Sequence, residues 1–410
     1  MIENDIVVVG LVAATLGVIF WTAGHPAPFW KRFYSYVPAL LLCYFIPALF
    51  NTIGLVDGRT TSLYNPVARD VLLPAALVLL TLSIDLKSML NLGPKLLFVF
   101  CAGTLGVMLG GPIAFLALQA INPATVAGDT WGGMAALAGS WIGGGANMVA
   151  VREIFEVEAD TFGRFAVVDV AIANLWMATL LFLAARAARI DARNGADTRA
   201  IEEIKNKVSD FHARHGRIAS LNDLFMIVGV GFGVVAIAHA LATPAAGWLG
   251  ANTSWASRMS LDSPFVWMVL SATAMGIGLS FTPARRLEGA GASRVGSLFL
   301  YFLIASIGLQ MDLKSLFDAE GAWLLLLGAI WMGVHIVVLW SAAKLVRAPL
   351  FYFAIGSQGN IGAAASAPVV AAAFHPSLAP VGVLLGSVGY ATGTYLAYLV
   401  GLLLKSMAGA

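Results

Sequence analysis

The chain has 410 residues and a formal net charge of only +2. Hydrophobic residues make up 59% of it and charged residues 11%, whereas soluble domains are about 45–50% apolar and about 25% charged. So few charged side chains cannot cover a water-exposed surface of this size. The composition excludes a soluble enzyme, a nucleic-acid binder and a disordered protein, and it indicates a helical membrane protein.

Ten long apolar runs follow one another along the chain. A helix needs roughly 20 apolar residues to cross about 30 Å of hydrocarbon. The runs therefore predict an all-α polytopic membrane protein with about ten transmembrane helices. The predicted spans are 6–20, 36–53, 67–84, 95–120, 165–188, 224–241, 265–281, 295–311, 323–345 and 380–404.

Two further apolar segments, 131–151 and 350–374, are rich in glycine and small polar residues. The first contains Gly143, Gly144 and Gly145 in succession, and each glycine inside a helix costs about 1 kcal/mol relative to alanine. A broken backbone in hydrocarbon also leaves N–H and C=O groups unpaired unless protein or water satisfies them. We therefore predict two re-entrant or broken segments that form a solute or ion site. The alternative is close helix packing through small residues.

Three features recur in the same order in the two halves of the chain. The sequence Asp-Leu-Lys-Ser occurs at 85–88 and again at 312–315. Each copy is followed by a Gly-Ser pair, at 139–140 and 356–357, and then by one more long span. The order predicts two repeats, 1–189 and 223–410, each with five spans and one irregular segment.

The repeats are joined by a polar linker, 190–222. Eight of the 24 Lys and Arg residues lie in it or beside it, which places the linker in the cytoplasm by the positive-inside rule. If the irregular segments are re-entrant, each half has five spans and the repeats are inverted, as in many transporters. If they cross the membrane, the chain has twelve spans and the repeats are parallel. The distribution of basic residues does not decide between the two, and we favour inverted repeats.

Polar groups inside the apolar segments are the candidate site residues. The predicted solute-binding residues are Ser140, Gly143, Gly144, Gly145, Asn147, Ser357, Gln358, Asn360 and Ser366. A carboxylate among valines and alanines costs several kcal/mol unless it is paired, hydrated or protonated, so Asp169 is the main candidate for ion coupling. The remaining ion-coupling candidates are Asn147, Asn174, Asn360 and Thr392. The alternative role for Asp169 is a structural hydrogen bond. We expect His335 to be a packing residue rather than a proton relay.

Motifs for catalysis are absent from the sequence. There is no nucleotide-binding P-loop and no His, Cys and Glu cluster with metal-ligand spacing. We therefore expect no enzyme activity, no cofactor and no metal ion beyond Na⁺, with Na⁺ or H⁺ as the coupling ion.

Four stretches, 38–47, 79–87, 139–151 and 356–367, resemble a family of bacterial membrane proteins, domain of unknown function 819. The resemblance extends from about residue 5 to residue 405. That family is grouped with the cation:proton antiporters and anion transporters, and it is distantly similar to glutamate:sodium symporters and 2-hydroxycarboxylate transporters. The resemblance implies a two-domain carrier with a moving transport domain and a scaffold that dimerises. Serine, glutamine and asparagine stand where a dicarboxylate carrier is expected to offer arginine or a longer glycine-hydroxyl signature, so the substrate does not carry over.

Together these features predict a secondary active transporter of the bacterial inner membrane. It would couple Na⁺ or H⁺ to movement of a small organic, anionic solute by an elevator-like alternating-access mechanism. We expect a homodimer in the lipid bilayer with no nucleic-acid partner. The alternatives are a cation/proton antiporter and a membrane sensor or scaffold that transports nothing.

Overall fold

Helices account for nearly all of the described chain, as expected where hydrocarbon leaves backbone groups no water to bond. The computed structural model describes residues 2, 4–37, 39–58, 61–82, 93–196, 218–253, 255–256, 261–311, 320–375 and 378–410. Within those ranges the extended pairing is one isolated bridge between Ile2 and Val56. The two Asp-Leu-Lys-Ser copies and most of the basic linker lie outside the described residues.

We number the α-helices in chain order. The helices of the first half are α1 Asp5–Ala23, α2 Pro28–Tyr36, α3 Ala39–Thr52, α4 Leu73–Leu82, α5 Pro94–Ile121, α6 Thr130–Gly143, α7 Gly145–Ile154, α8 Ala159–Ala184 and α9 Ala187–Asn194. Those of the second half are α10 Leu221–Asn252, α11 Pro264–Ser280, α12 Ala292–Gly308, α13 Glu320–Leu345, α14 Leu350–Gln358, α15 Ala363–Phe374 and α16 Ala379–Ala408. A π-helix, Leu63–Leu72, leads into α4, and 3₁₀ helices lie at Pro123–Val126 and Pro283–Ala290.

Six helices in the described ranges are long and apolar enough to cross a membrane: α1, α5, α8, α10, α13 and α16. Helix α11 and the 3₁₀ helix after it, bent by 94°, can supply a seventh span. Two of the other predicted spans are present as shorter apolar helices, within α3 and at α12. A multi-pass helical membrane protein is thus confirmed, while the total of ten spans stays a prediction.

The predicted span 67–84 is only partly an α-helix. Its first residues belong to the π-helix, which contains Pro66, and proline removes a backbone donor and disrupts regular α-helical bonding. Arg69 and Asp70 add polar side chains to the same turn. The regular, wholly buried α-helix begins only at Leu73.

The long helices pack as two bundles. In the first bundle, α4 packs against α11 and α12, α10 packs against α11, and α3 joins α1 to α12. In the second bundle, α5 packs against α13 and α14, while α16 packs against α6 and α15; α7 and α8 contact α6. The first bundle therefore combines the leading helices of both chain halves, and the second bundle combines their closing helices. Repeat orientation stays a prediction.

Glycines allow the closest approach in the second bundle, between α5 and α13. A Cβ on Gly110 would lie 2.3 Å from the indole of Trp331 and 2.9 Å from its carbonyl oxygen. A Cβ on Gly106 would lie 3.0 Å from the Cα of His335. Small residues permit such backbone contact between helices in a membrane.

We expect Gly110→Ala to lower the free energy of unfolding by about 1–3 kcal/mol, because the new methyl group overlaps Trp331 and forces α5 and α13 apart. The measurement is thermal unfolding of the purified protein in detergent. The matched control is Gly233→Ala on α10, where a Cβ meets no atom within 4 Å and stability should not fall. Equal unfolding temperatures for the two variants would contradict the close contact.

Candidate solute and ion site

Both glycine-rich segments are broken helices. The first break lies between α6 and α7 at Gly144, with φ 82° and ψ 178°. The second separates α14 from α15, which begins after Gly362 at φ 86°. Both glycines have positive φ, which side chains rarely tolerate. Local glycine content therefore determines where each helix stops and restarts.

The two breaks lie against each other. A Cβ on Gly144 would be 3.1 Å from the Cβ of Ala363 and 3.9 Å from the carbonyl carbon of Gly362. Helices α7 and α15 both begin at this point. The first N–H groups of a helix have no partner within it, and the helix dipole makes that end positive. Two such ends together favour an anion.

A cavity of about 590 Å³ lies beside the breaks, between the two bundles. The second bundle contributes Ser140, Gly145, Asp169, Val170, Ala173, Asn174, Met177, Gln358, Ile361, Gly362, Ser366, Val369, Val383, Ser387 and Tyr390. The first bundle and its connecting turn contribute Leu80, Glu288, Ser293, Arg294, Ser297, Leu300 and Tyr301. A solute in this cavity would touch both bundles.

Asp169 places a carboxylate at the wall of this cavity. Asp169 projects from α8 and is only 9% exposed. Its Oδ2 accepts a hydrogen bond from Ser140 Oγ at 2.7 Å, and its Oδ1 accepts one from Trp141 Nε1 at 2.8 Å. Neither donor is charged, and no ion pair joins Asp169 to another described residue. The carboxylate is therefore hydrogen-bonded in place, with its charge left for a cation or a proton to neutralise.

Helix α8 also holds the second broken helix. Trp176, two turns beyond Asp169, donates its indole N–H to Ser357 Oγ at 2.8 Å. His335 Nε2 lies 2.8 Å from the same oxygen, and its Nδ1 lies 2.9 Å from the carbonyl oxygen of Gly103. A carbonyl oxygen only accepts, so the neutral ring carries its proton on Nδ1 and Ser357 donates to Nε2. These bonds satisfy His335 completely, which fits the packing interpretation of that residue.

Asn147 ties the first break to α16. Its Nδ2 donates to the carbonyl oxygen of Gly143 at 2.7 Å and approaches that of Gly389 at 3.4 Å. Its Oδ1 accepts from Thr394 Oγ1. The side chain is fully buried, and it satisfies the carbonyl group of Gly143, where the first helix breaks.

Asn360 plays the corresponding part at the second break. Its Nδ2 donates to the carbonyl oxygens of Gly356 at 2.8 Å and Phe100 at 3.1 Å. Its Oδ1 accepts from Thr104 Oγ1 at 2.6 Å. Each asparagine thus bonds the glycine carbonyl four residues before it and a threonine on a neighbouring long helix. The two broken segments share this chemistry as well as their position in the chain.

The predicted site residues divide into two groups by position. Those that line the cavity are Ser140, Gly145, Asp169, Asn174, Gln358 and Ser366. Those that lie outside its wall are Gly143, Gly144, Asn147, Ser357, Asn360 and Thr392. The second group includes buried groups that hold the breaks together, and Thr392 donates only to Val388 of its own helix.

Sequence reasoning missed the contribution of α12. Arg294, Ser297 and Tyr301 are spaced three and then four residues apart, which places them on one helical face toward the cavity. The available signal was the polar spacing of Ser297 and Tyr301 within the predicted span 295–311, continued by Arg294 directly before it. Arg294 supplies a cation to the cavity from a segment outside the glycine-rich motifs. The glycine-rich segments offer no arginine to the cavity, and Arg294 on α12 provides one instead.

A second polar cluster connects the bundles near the end of α7. Glu153 accepts a hydrogen bond from Arg69 Nε at 2.9 Å, and it also bonds Tyr64 and Arg152. Arg152 Nη1 donates to Tyr64 at 2.6 Å. Arg69 and Tyr64 belong to the π-helix before α4, so the cluster joins the first bundle to the second. Charges this buried are costly unless paired, and here both arginines are paired.

Comparison with known proteins identifies the family. Residues 10–407 match the family described as a protein of unknown function (DUF819), and the chain belongs to that family. The chain is also similar to a protein of Bacillus subtilis (strain 168) described as the uncharacterized membrane protein YjcL. The two are 26% identical over 364 residues, which is 86% of each chain. Membership of a membrane-protein family agrees with the helical fold.

Asn147→Ala should lower the free energy of unfolding by about 1–3 kcal/mol, because it strands buried carbonyl and hydroxyl groups at the first break. Thermal unfolding in detergent measures the change. Asn174→Ala is the matched control, since its half-buried amide bonds only Val170 of its own helix. If both variants unfold at the wild-type temperature, Asn147 does not hold the break.

Proposed function

We propose that this protein is a secondary active transporter that couples Na⁺ or H⁺ to the movement of a small organic anion. The observation that carries the proposal is the meeting of two helix breaks beside a buried carboxylate, in a cavity walled by two bundles. Transporters commonly place discontinuous helices at the repeat interface, where exposed N–H groups bind anionic groups of the solute. No catalytic chemistry and no cofactor beyond the coupling ion form part of the proposal.

The solute and the coupling ion bind to different groups in the cavity. The N-terminal ends of α7 and α15 favour the anionic solute. Asp169 binds the coupling cation or a proton, because its two hydrogen-bond donors are neutral. Opposite charges bound in one low-dielectric cavity attract each other strongly. Each ligand therefore raises the affinity for the other, which is the thermodynamic basis of coupling.

The two bundles provide the elements for alternating access. We assign the second bundle, with both broken helices, as the transport domain and the first bundle as the scaffold. Movement of one bundle along the other would open the cavity to each side in turn. The Glu153 cluster would break and re-form in that movement, because its partner Arg69 belongs to the scaffold. We further propose that the protein lies in the bacterial inner membrane and dimerises through the scaffold.

A cation/proton antiporter is the second candidate, and one observation favours it. Glu288 lines the cavity as well as Asp169, so two carboxylates face the same space. Both oxygens of Glu288 accept hydrogen bonds from Ser293, one from its N–H at 2.9 Å and one from its hydroxyl at 2.6 Å. Glu288 therefore closes its own turn, and we rank the antiporter below the coupled transporter.

The test is uptake into proteoliposomes from a mixture of C2–C8 carboxylates and the twenty amino acids, read by mass spectrometry. We expect at least one solute to accumulate severalfold under an imposed Na⁺ or pH gradient. Asp169→Asn should abolish gradient-driven accumulation, because the amide carries no charge for the coupling ion to neutralise.

Asp160→Asn is the control, since Asp160 lies in the first turn of the same helix and outside the cavity wall. It should accumulate solute as the wild type does. Undiminished gradient-driven accumulation in Asp169→Asn would refute the coupling role. Cation-dependent collapse of a pH gradient without solute would favour the antiporter, and no flux of any kind would favour a sensor or scaffold.

A further inference from the structure

Gln358 is a buried amide whose NH₂ group lacks a hydrogen-bond partner among the described residues. It ends α14, is 1% exposed, and lines the cavity. Its Oε1 lies 2.7 Å from Ser366 Oγ, and the single hydroxyl proton of Ser366 is assigned to this shorter contact rather than to the carbonyl oxygen of Ile361 at 3.1 Å. Its Nε2 is buried without a hydrogen-bond partner, and it is the one such side-chain atom among the described residues. An unpaired buried donor is costly, and native proteins leave few of them without a functional reason.

The surroundings of this donor favour negative charge. Helix α15 begins five residues after Gln358, and its first N–H groups have no side-chain cap. Helix α7 begins beside it at Gly145, which is also on the cavity wall. Arg294 lines the cavity from the first bundle, within electrostatic range of Glu288 but without a direct ion pair to any described residue. N–H donors are thus offered by the amide of Gln358, by the first turns of α7 and α15, and by the guanidinium of Arg294. Such a set of donors binds an oxyanion.

The rest of the cavity sets the form of that anion. Glu288 also lines it, and the coupling ion at Asp169 leaves the Glu288 carboxylate charged, so a second carboxylate on the solute would be repelled. Leu300, Val369 and Val383 supply apolar wall, which suits a hydrocarbon body. The cavity therefore matches one anionic group attached to an apolar body.

We propose that the solute is a small monocarboxylate with an apolar body, whose carboxylate accepts from Gln358 Nε2 at the meeting of the two helix ends. Arg294 binds the same carboxylate from the scaffold side. The inference rests on the proposed function and names the substrate class of its site.

Binding to the purified protein in detergent tests the substrate class directly. The probes are the straight-chain monocarboxylates from acetate to octanoate, measured by calorimetry and by thermal shift in the presence of Na⁺ at mildly acidic pH. We expect saturable binding of at least one member, and the ligand should raise the unfolding temperature by mass action. The matching primary amide and the dicarboxylate of equal length should bind at least tenfold more weakly.

Gln358 variants test the donor. Gln358→Met keeps the side-chain volume and should weaken carboxylate binding about tenfold or more, since it removes a hydrogen bond to a charged group. Gln358→Glu should abolish binding, because it sets a second carboxylate against the ligand. Gln119→Glu, on an exposed part of α5 outside the cavity wall, is the matched control and should bind as the wild type does.

Several results would overturn the proposal. If Gln358→Glu binds carboxylate as tightly as the wild type, the side chain at 358 does not contact the ligand and its role as donor is refuted. Preference for the amide probes, or binding of no carboxylate at all, would refute the substrate class. Unfolding without ligand shows whether each variant is folded. If the Gln358 variants do not fold, Arg294→Met tests the site, because this exposed side chain can be shortened without disturbing the core. It should weaken carboxylate binding about tenfold or more, and unchanged affinity would refute the proposal.

Failure of this inference is distinguishable from failure of the proposed function. Gradient-driven uptake of an amino acid or a dicarboxylate would refute the monocarboxylate and leave the coupled transporter in place. Monocarboxylate binding without gradient-driven accumulation would refute the transporter and leave the binding site in place.

Discussion

The fold depends on one constraint: a backbone that breaks inside a membrane must find partners for its polar groups. Gly144 and Gly362 allow the chain to leave the helix, and Asn147 and Asn360 then bond the exposed carbonyls. Each asparagine is held in turn by a threonine hydroxyl on a neighbouring long helix. The carbonyl ends of the breaks are therefore satisfied by protein, while the N–H ends remain at the cavity.

The broken helices also determine where the charge of the cavity lies. Asp169 is held by Ser140 and Trp141, and Ser140 comes from the same broken helix whose continuation, α7, begins at the cavity. The carboxylate and the helix ends are thus fixed relative to each other within the second bundle. Arg294 and Glu288 approach from the other wall, so the electrostatics of the cavity change if the bundles move relative to each other.

Much of this could be predicted from sequence because its causes are local. Runs of apolar residues predicted helices in a membrane, and runs of glycine predicted where two helices break. The partners of the breaks could not be predicted, since Phe100 and Thr394 are far from their asparagines in the chain. Arg294 was missed for the same reason: its place at the cavity depends on how α12 packs against α4. The predicted span 67–84 starts too early, because Pro66 and the polar residues after it interrupt the regular helix before Leu73.

The most direct test is the accessibility of the cavity from each side of the membrane. Val383→Cys places a thiol on the cavity wall in a chain whose Cys43 and Cys101 are replaced by alanine. An impermeant thiol reagent, applied separately to each face of oriented vesicles, should label this cysteine from both sides. Coupling ion and solute should change the two rates in opposite directions, whereas Ala136→Cys, buried in α6, should stay unlabelled. Labelling of Val383→Cys from one side only, under every ionic condition, would contradict alternating access through this cavity.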